Sequence, residues 1–402
     1  MWEQIRSNRI RSAVLVAAMG ALLLLLGYFL GMYFFNDPIA GLVIAVVVWA
    51  VMNLFAYFQG SSILLAVSGA RKITRDDHPR LYNIVEEMKI ASGLERMPDI
   101  YIIDDPALNA FATGRSPDKA AVAVTSGLLQ RLSRDELQGV IGHEMAHIKN
   151  RDVLLMSLAG VILGTVVILA WYATRVLFFS GMSGGSRRNS REGGGGQLII
   201  LAVGIVLMIL APIAAQLLYF AISRKREYLA DASSALYTRY PEGLASALGK
   251  LAASTTQLRS ANQATAPMYT INPFREKGRA ASDLTSTHPP ISERIRILRA
   301  MAGASAADYE QAYQQVKGRG IVPASVLAGA GSLALRAASP EVGPVEAGEE
   351  RIRRTRDTSE LLWRLGNYKT IICDCGTRLR VPPTYDEPVV RCPHCGRMNR
   401  VD

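Results

Sequence analysis

Hydrophobic and polar positions divide this chain into stretches of two kinds. Four blocks, residues 13–35, 38–70, 153–174 and 197–223, contain no Asp, Glu, Lys or Arg. Each is at least as long as the ~20 residues that cross a bilayer. The pattern predicts a mainly α integral membrane protein with four transmembrane helices in two hairpins. The first block is too long for a signal-peptide core, and a second follows at once, so it reads as a retained anchor. Arg6, Arg9 and Arg11 precede the first hairpin, and Arg71, Lys72 and Arg75 follow it. The turn Asn36-Asp37-Pro38 carries no basic residue, so the positive-inside bias puts both hairpin ends in the cytosol. The second turn, residues 181–196, holds Arg187, Arg188 and Arg191 against that bias. Lys149, Arg151, Arg224, Lys225 and Arg226 on the other side outvote it.

Between the apolar blocks the periodicity is that of a water-facing α+β unit. Pro79 opens a helix whose Leu81, Ile84, Val85 and Met88 share one face, and Gly93 is placed to end it. Three strands are expected at 99–103, 109–113 and 120–125, separated by Asp-Pro and Gly-Arg-Ser-Pro turns. Ser133 and Glu136 form a capping box. Leu137, Val140, Ile141, His147 and Ile148 follow at helical spacing. Residues 224–315 read as mainly helical, and 318–350, rich in Gly, Ala, Ser and Pro, as a linker. The expected division is therefore 1–70, transmembrane hairpin; 71–152, first part of the water-facing unit; 153–223, second hairpin; 224–317, second part of that unit; 318–364, linker; 365–402, a small terminal module.

The candidate chemistry lies on the helix that the capping box opens. Residues 143–147 read His-Glu-Met-Ala-His, and two imidazoles four apart on a helix face the same way and can grip one metal. With only five histidines in 402 residues, chance is a weak rival. Two structural histidines would leave unexplained why Glu144 sits beside Val140, Ile141 and Ile148, where an unpaired carboxylate is costly. A half-buried site is expected, close to the bilayer surface. Zinc lacks a third protein ligand here. Glu227 and Asp231, one helical turn apart, supply it: Glu227 as ligand and Asp231 orienting an imidazole. No serine or cysteine stands in a recognisable nucleophile setting, so the expected hydrolysis is direct.

A net charge of +11 raises the question of nucleic acid, but no basic run interleaved with aromatics is present. Attraction to anionic lipid headgroups explains the charge more simply. All four cysteines lie within the last thirty residues, as Cys373-Asp-Cys375-Gly376 and Cys392-Pro-His-Cys395-Gly396 with 16 residues between. Such pairs read as the two knuckles of a zinc ribbon in a reducing compartment, since no βαβ unit accompanies them as a redox dithiol would require. The Cys-x-Cys spacing of the first knuckle is one residue short of the commoner form. A module this small binds a partner or stabilises itself around its metal.

Several motifs in fixed order carry a resemblance. Asn109-Ala-Phe-Ala-Thr-Gly114 and Ala123-Val-Thr-Ser-Gly-Leu-Leu129 precede His143-Glu-x-x-His147; Ser223-Arg-x-x-Glu227-x-x-Ala-Asp231 follows, then Thr287-His-Pro-Pro290 with Glu293-Arg294-Ile295. Over about residues 1–300 the chain resembles the membrane-bound M48 peptidases, most of all the HtpX-type heat-shock proteases, which are related to the CAAX prenyl proteases. The resemblance implies a gluzincin-like α+β metalloprotease domain with a small β-sheet. It implies zinc on His143, His147 and Glu227, Glu144 as general base, and Asp231 bonded to a ligating histidine. Asn109, Ala110, Phe111 and Ala112 resemble an edge that pairs with substrate backbone, and His288 resembles a histidine that stabilises the tetrahedral intermediate. The ribbon falls outside the usual HtpX architecture. The expectation is a multi-pass zinc endopeptidase of the bacterial cytoplasmic membrane, with its site on the cytosolic side and membrane or misfolded proteins as substrates. One catalytic and one structural zinc, contact with the bilayer, and a protein partner for the ribbon complete it. The rival from another class is a non-catalytic membrane adaptor that recruits through the ribbon; the intact Glu144 argues against it.

Overall fold

The computed structural model describes residues 2–153, 171, 175, 205, 209, 213, 224–259, 269–270, 289–322, 324–327, 333–339 and 344–401. The first two apolar blocks form helices α1 (Trp2–Phe35) and α2 (Pro38–Val67), packed against each other. Their turn is fixed by Asp37, whose carboxylate accepts from the Ile39 N–H at 2.8 Å. The helices touch where side chains are absent: a Cβ on Gly41 would lie 2.1 Å from the Gly27 carbonyl oxygen. Much of α2 keeps large apolar side chains exposed, among them Ile39, Val43, Val51, Leu54 and Phe58. Its stretch Pro38–Phe55 is long and apolar enough to cross a membrane, and it alone passes that test among the described residues. The expected spans 153–174 and 197–223 lie almost wholly outside the described residues.

Helix α2 leads directly into a four-stranded sheet, β1 (Ala70–Ile73), β2 (Asp99–Ile103), β3 (Ala110–Gly114) and β4 (Ala120–Thr125), in the order β1-β2-β4-β3. The β2–β4 pair is parallel and the outer two pairs antiparallel, which leaves β3 at an edge. Strand β1 was not expected from sequence. Its only fully buried apolar residue is Ile73, and its Arg71 and Lys72 read equally well as a membrane flank. The period-2 alternation sorts the rest. Ile100, Ile102, Ala110, Ala112, Val122 and Val124 point into the main core. Ile103, Phe111, Ala121 and Ala123 point the other way, onto Leu64 and Leu65 at the end of α2. The α1–α2 hairpin is thus anchored to the back of the sheet.

The main core is closed by helices. They are α3 (Pro79–Ser92), α4 (Ser126–Arg131), α5 (Arg134–Lys149), α6 (224–238), α7 (Pro241–Ala253), α8 (Ile291–Arg299), α9 (Ala306–Lys317) and α10 (Ala324–Leu327). Gly93 ends α3 in the left-handed conformation, φ 66°. The capping box of Ser133 and Glu136 is formed, and α5 is buried from Glu136 through Ile148, on every side rather than on one.

The expected linker 318–364 is more ordered than its composition suggests. Residues 333–339 dock on the start of α5 and the end of α6: Arg336 and Ser339 both bond to Asp135, and Arg336 N–H reaches the Arg239 carbonyl. Helix α11 (Pro344–Leu365) then packs on α4, burying Thr358 and Leu361 in the main core with Leu362 and Leu365 beside them. Those four positions recur at helical spacing in an otherwise charged stretch, so low hydrophobicity masked an amphipathic helix.

Candidate metal centre

Helices α5 and α6 bring three donors together. His143 and His147 direct their Nε2 atoms at one point, 3.2 Å apart. The Glu227 carboxylate approaches the same point, 3.6 Å from His143 Nε2 and 3.3 Å from His147 Nε2. Donors tetrahedrally disposed around zinc at its usual bond lengths stand about 3.3 Å apart, so this trio has the spacing a zinc ion needs. All three are buried, His143 completely. The half-buried site expected from the α5 pattern is therefore enclosed, because α6, α7 and the sheet wrap the faces that one helix period leaves open.

Each imidazole is held from behind. His143 Nδ1 lies 3.0 Å from Asp231 and His147 Nδ1 lies 3.1 Å from Asp152. A carboxylate at Nδ1 fixes the tautomer and leaves the Nε2 lone pair facing inward, the arrangement common to metal-binding histidines. Asp231 in turn receives a bidentate pair of hydrogen bonds from Arg294, at 2.8 and 2.6 Å. Arg294 is fully buried, and its other Nη is 3.4 Å from Glu227. Helix α8 presents it with help from its neighbour Glu293, which accepts from Tyr228 and Lys317. Asp152 and Arg294 were not assigned roles from sequence.

The balance of charge explains what the cavity wants. Burial pushes the His143 and His147 imidazoles down, but their carboxylate partners outweigh it; both are raised, His147 to about 10. Burial pushes Asp231 up, while Arg294 and His143 hold it below the usual carboxylate range. Three carboxylates around two imidazoles and one guanidinium favour extra positive charge, as a proton or as a metal ion.

Glu144 lies one residue past His143, 1% exposed, and its Oε1 accepts from the Thr270 hydroxyl at 2.8 Å. The β3 edge runs alongside: Asn109 to Ala112 are buried and pack near α5. His288 lies outside the described residues.

Comparison with known proteins decides the family. The profile of peptidase family M48 matches residues 75–302, more than half of the chain. The chain belongs to peptidase family M48. Among curated M48-like relatives, a "Protease HtpX homolog" of Dictyoglomus turgidum is 45% identical over 300 residues, 75% of this chain and 94% of the relative. One from Streptococcus pneumoniae is 40% identical over 301 residues, covering 75% of this chain and all of the relative. A solved structure, S. mikatae Ste24p, is 21% identical with a TM-score of 0.41, covering 74% of this chain and 67% of that one. As an M48 member with HtpX homologues, the chain is a zinc metalloprotease.

The terminal module lies beyond the M48 match. Two hairpins, β5 (Lys369–Ile372) with β6 (Arg378–Val381) and β7 (Val389–Arg391) with β8 (Met398–Arg400), each carry a cysteine pair at the turn. Gly376 and Gly396, φ 81° and 77°, make those turns. Cys373 and Cys395 sulfurs are 3.5 Å apart, Cys375 and Cys392 sulfurs 3.7 Å, and all four lie within 4.8 Å of one another. Thiolates around a tetrahedral zinc are about 3.8 Å apart, and disulfides are far shorter. The Thr377 hydroxyl and backbone and then His394 pull the Cys375 thiol down to about 5, which favours a metal-binding thiolate.

Proposed function

We propose that the chain is a membrane-bound endopeptidase that cleaves extended segments of membrane or misfolded proteins at the cytosolic membrane surface. His143, His147 and Glu227 hold the catalytic zinc. Bound there, zinc supplies Lewis acidity to the scissile carbonyl and lowers the pKa of water toward neutrality. Glu144 takes the proton of the attacking water and returns it to the leaving amine. Asp231 and Asp152 keep the two imidazoles in the ligating tautomer, and Arg294 keeps Asp231 charged and aimed. Asn109, Ala110, Phe111 and Ala112 offer the edge on which substrate adds as a strand. His288 steadies the oxyanion, a role carried by the family pattern alone.

The division is 1–70 and 153–223 for the membrane hairpins, 71–152 and 224–317 for the catalytic unit, and 365–402 for the ribbon, whose four cysteines hold a second, structural zinc. Contact with lipid, several membrane passes and a protein partner for the ribbon belong to the same reading, as does a part in quality control.

The observation that carries this reading is the convergence of two Nε2 atoms and the Glu227 carboxylate at one buried point beside Glu144. Purified protein in detergent, stripped of metal, is expected to stop digesting casein and to recover with stoichiometric zinc. Full digestion by zinc-free protein would refute the metal-dependent mechanism.

A further inference from the structure

Strand β3 is an outer strand of the sheet, yet its outer edge is taken at Ala110 and Phe111. Tyr269 pairs with Phe111 in an antiparallel bridge, and the Thr270 N–H donates to the Ala110 carbonyl at 2.9 Å. These are the contacts an extended peptide makes when it adds to an edge. Side chains reinforce them. The Tyr269 ring meets Phe111 edge-on at 5.1 Å between centroids, and its hydroxyl shares a 3.2 Å hydrogen bond with Ser68, just past the end of α2. Thr270 Oγ1 lies 3.0 Å from the Ala110 carbonyl and 2.8 Å from Glu144 Oε1. Both residues are buried, so this length of the edge is closed to solvent.

We propose that Tyr269 and Thr270 are an intramolecular stand-in for substrate. They fill the pairing edge of β3 and engage Glu144, and an incoming polypeptide must displace them before cleavage. The proposal rests on the reading of Glu144 as base and β3 as substrate edge. It goes further by tying that site to a conformational change and a substrate class. Among the described residues the self-contact is one bridge, so a ligand that pairs along more of β3 than Ala110 and Phe111 makes more backbone hydrogen bonds than this pair gives up. Extended segments several residues long displace the pair, whereas folded surfaces and very short peptides do not. While the pair is seated, the competent fraction is small and apparent substrate affinity falls in proportion.

The test uses the full chain in detergent, zinc-loaded and carrying Glu144→Gln, whose amide oxygen still accepts from Thr270. Binding of a fluorescent, unstructured peptide is measured by anisotropy, with and without Thr270→Val or Tyr269→Ala. Zinc content and melting temperature of each variant check that it is folded. Each substitution is expected to tighten binding roughly fivefold, the shift produced by losing one net hydrogen bond. With Glu144 restored, each should lower KM for casein. Unchanged or weaker binding overturns the proposal, and so does a fall in kcat at constant KM, which a Thr270 that merely positions Glu144 would produce. Absence of casein cleavage by the parent chain would count against the protease reading instead, and the binding comparison would still decide the role of the pair.

Discussion

At the scale of single residues, the centre depends on carboxylates placed at two distances from the metal point. Glu227→Ala removes a ligand and is expected to empty the site. Asp231→Ala and Asp152→Ala remove only the support behind an imidazole and should weaken zinc affinity about 10–100-fold. A competitive zinc titration separates these cases, and full occupancy in all three variants would contradict the assignment. Arg294→Met leaves Asp231 buried without its cation and should cost about 3–5 kcal/mol in thermal or denaturant unfolding. The sequence displays His143, Glu144 and His147 openly because helical spacing is local, and Glu227 with Asp231 for the same reason. Asp152 stands only five positions beyond His147, but past the end of α5, where helical periodicity says nothing. Arg294 meets Asp231 across 63 residues and Thr270 meets Glu144 across 126, and contacts at that range leave no periodic trace.

At the scale of elements, α5 must be held so that His143 and His147 face α6. Its N-terminus is fixed by Glu136, which accepts from the Ser133 N–H, Ser246 and Lys250. Burial pushes the Glu136 carboxyl up, but these three partners pull it below its ordinary value. A depressed folded-state pKa gives stability that is present above the unfolded value and lost as pH falls through the folded one. Glu136→Gln is therefore expected to cost about 1–2 kcal/mol at neutral pH, with the gap between variant and parent closing below about pH 4. Unfolding curves across that range check the sign. The capping box could be read from two residues three apart, and strands β2 to β4 from their alternation. Strand β1 could not, because four residues with one buried Ile73 carry too little pattern.

At the scale of the whole molecule, the cysteine-bearing terminal module is fastened to the M48 unit through α11. Arg364 pairs with Asp77 and donates to its carbonyl, Arg71 donates to the Leu365 carbonyl, and Arg380 of the terminal module pairs with Glu360 and covers Trp363. Two deletions should behave differently. Removing 366–402 is expected to lose one zinc and keep most casein cleavage, since the catalytic donors all precede residue 228. Removing 344–402 also strips Leu361 from the core and should destabilise the rest by at least the ~2–5 kcal/mol of a buried leucine. Equal stability of the two truncations, measured by unfolding in detergent, would contradict the docking of α11. Composition hid this helix, because a chain segment with five arginines among residues 351–364 reads as solvated until its few apolar positions are counted by turn.

The central claim is that Glu144 acts as the base beside a metal held by His143, His147 and Glu227. Its most direct test is the Glu144→Gln variant, assayed side by side for zinc content and for casein hydrolysis. The account predicts full zinc with cleavage lost by at least two orders of magnitude, since the amide cannot take the water's proton. Cleavage at the parent rate by a zinc-loaded Glu144→Gln protein would contradict it.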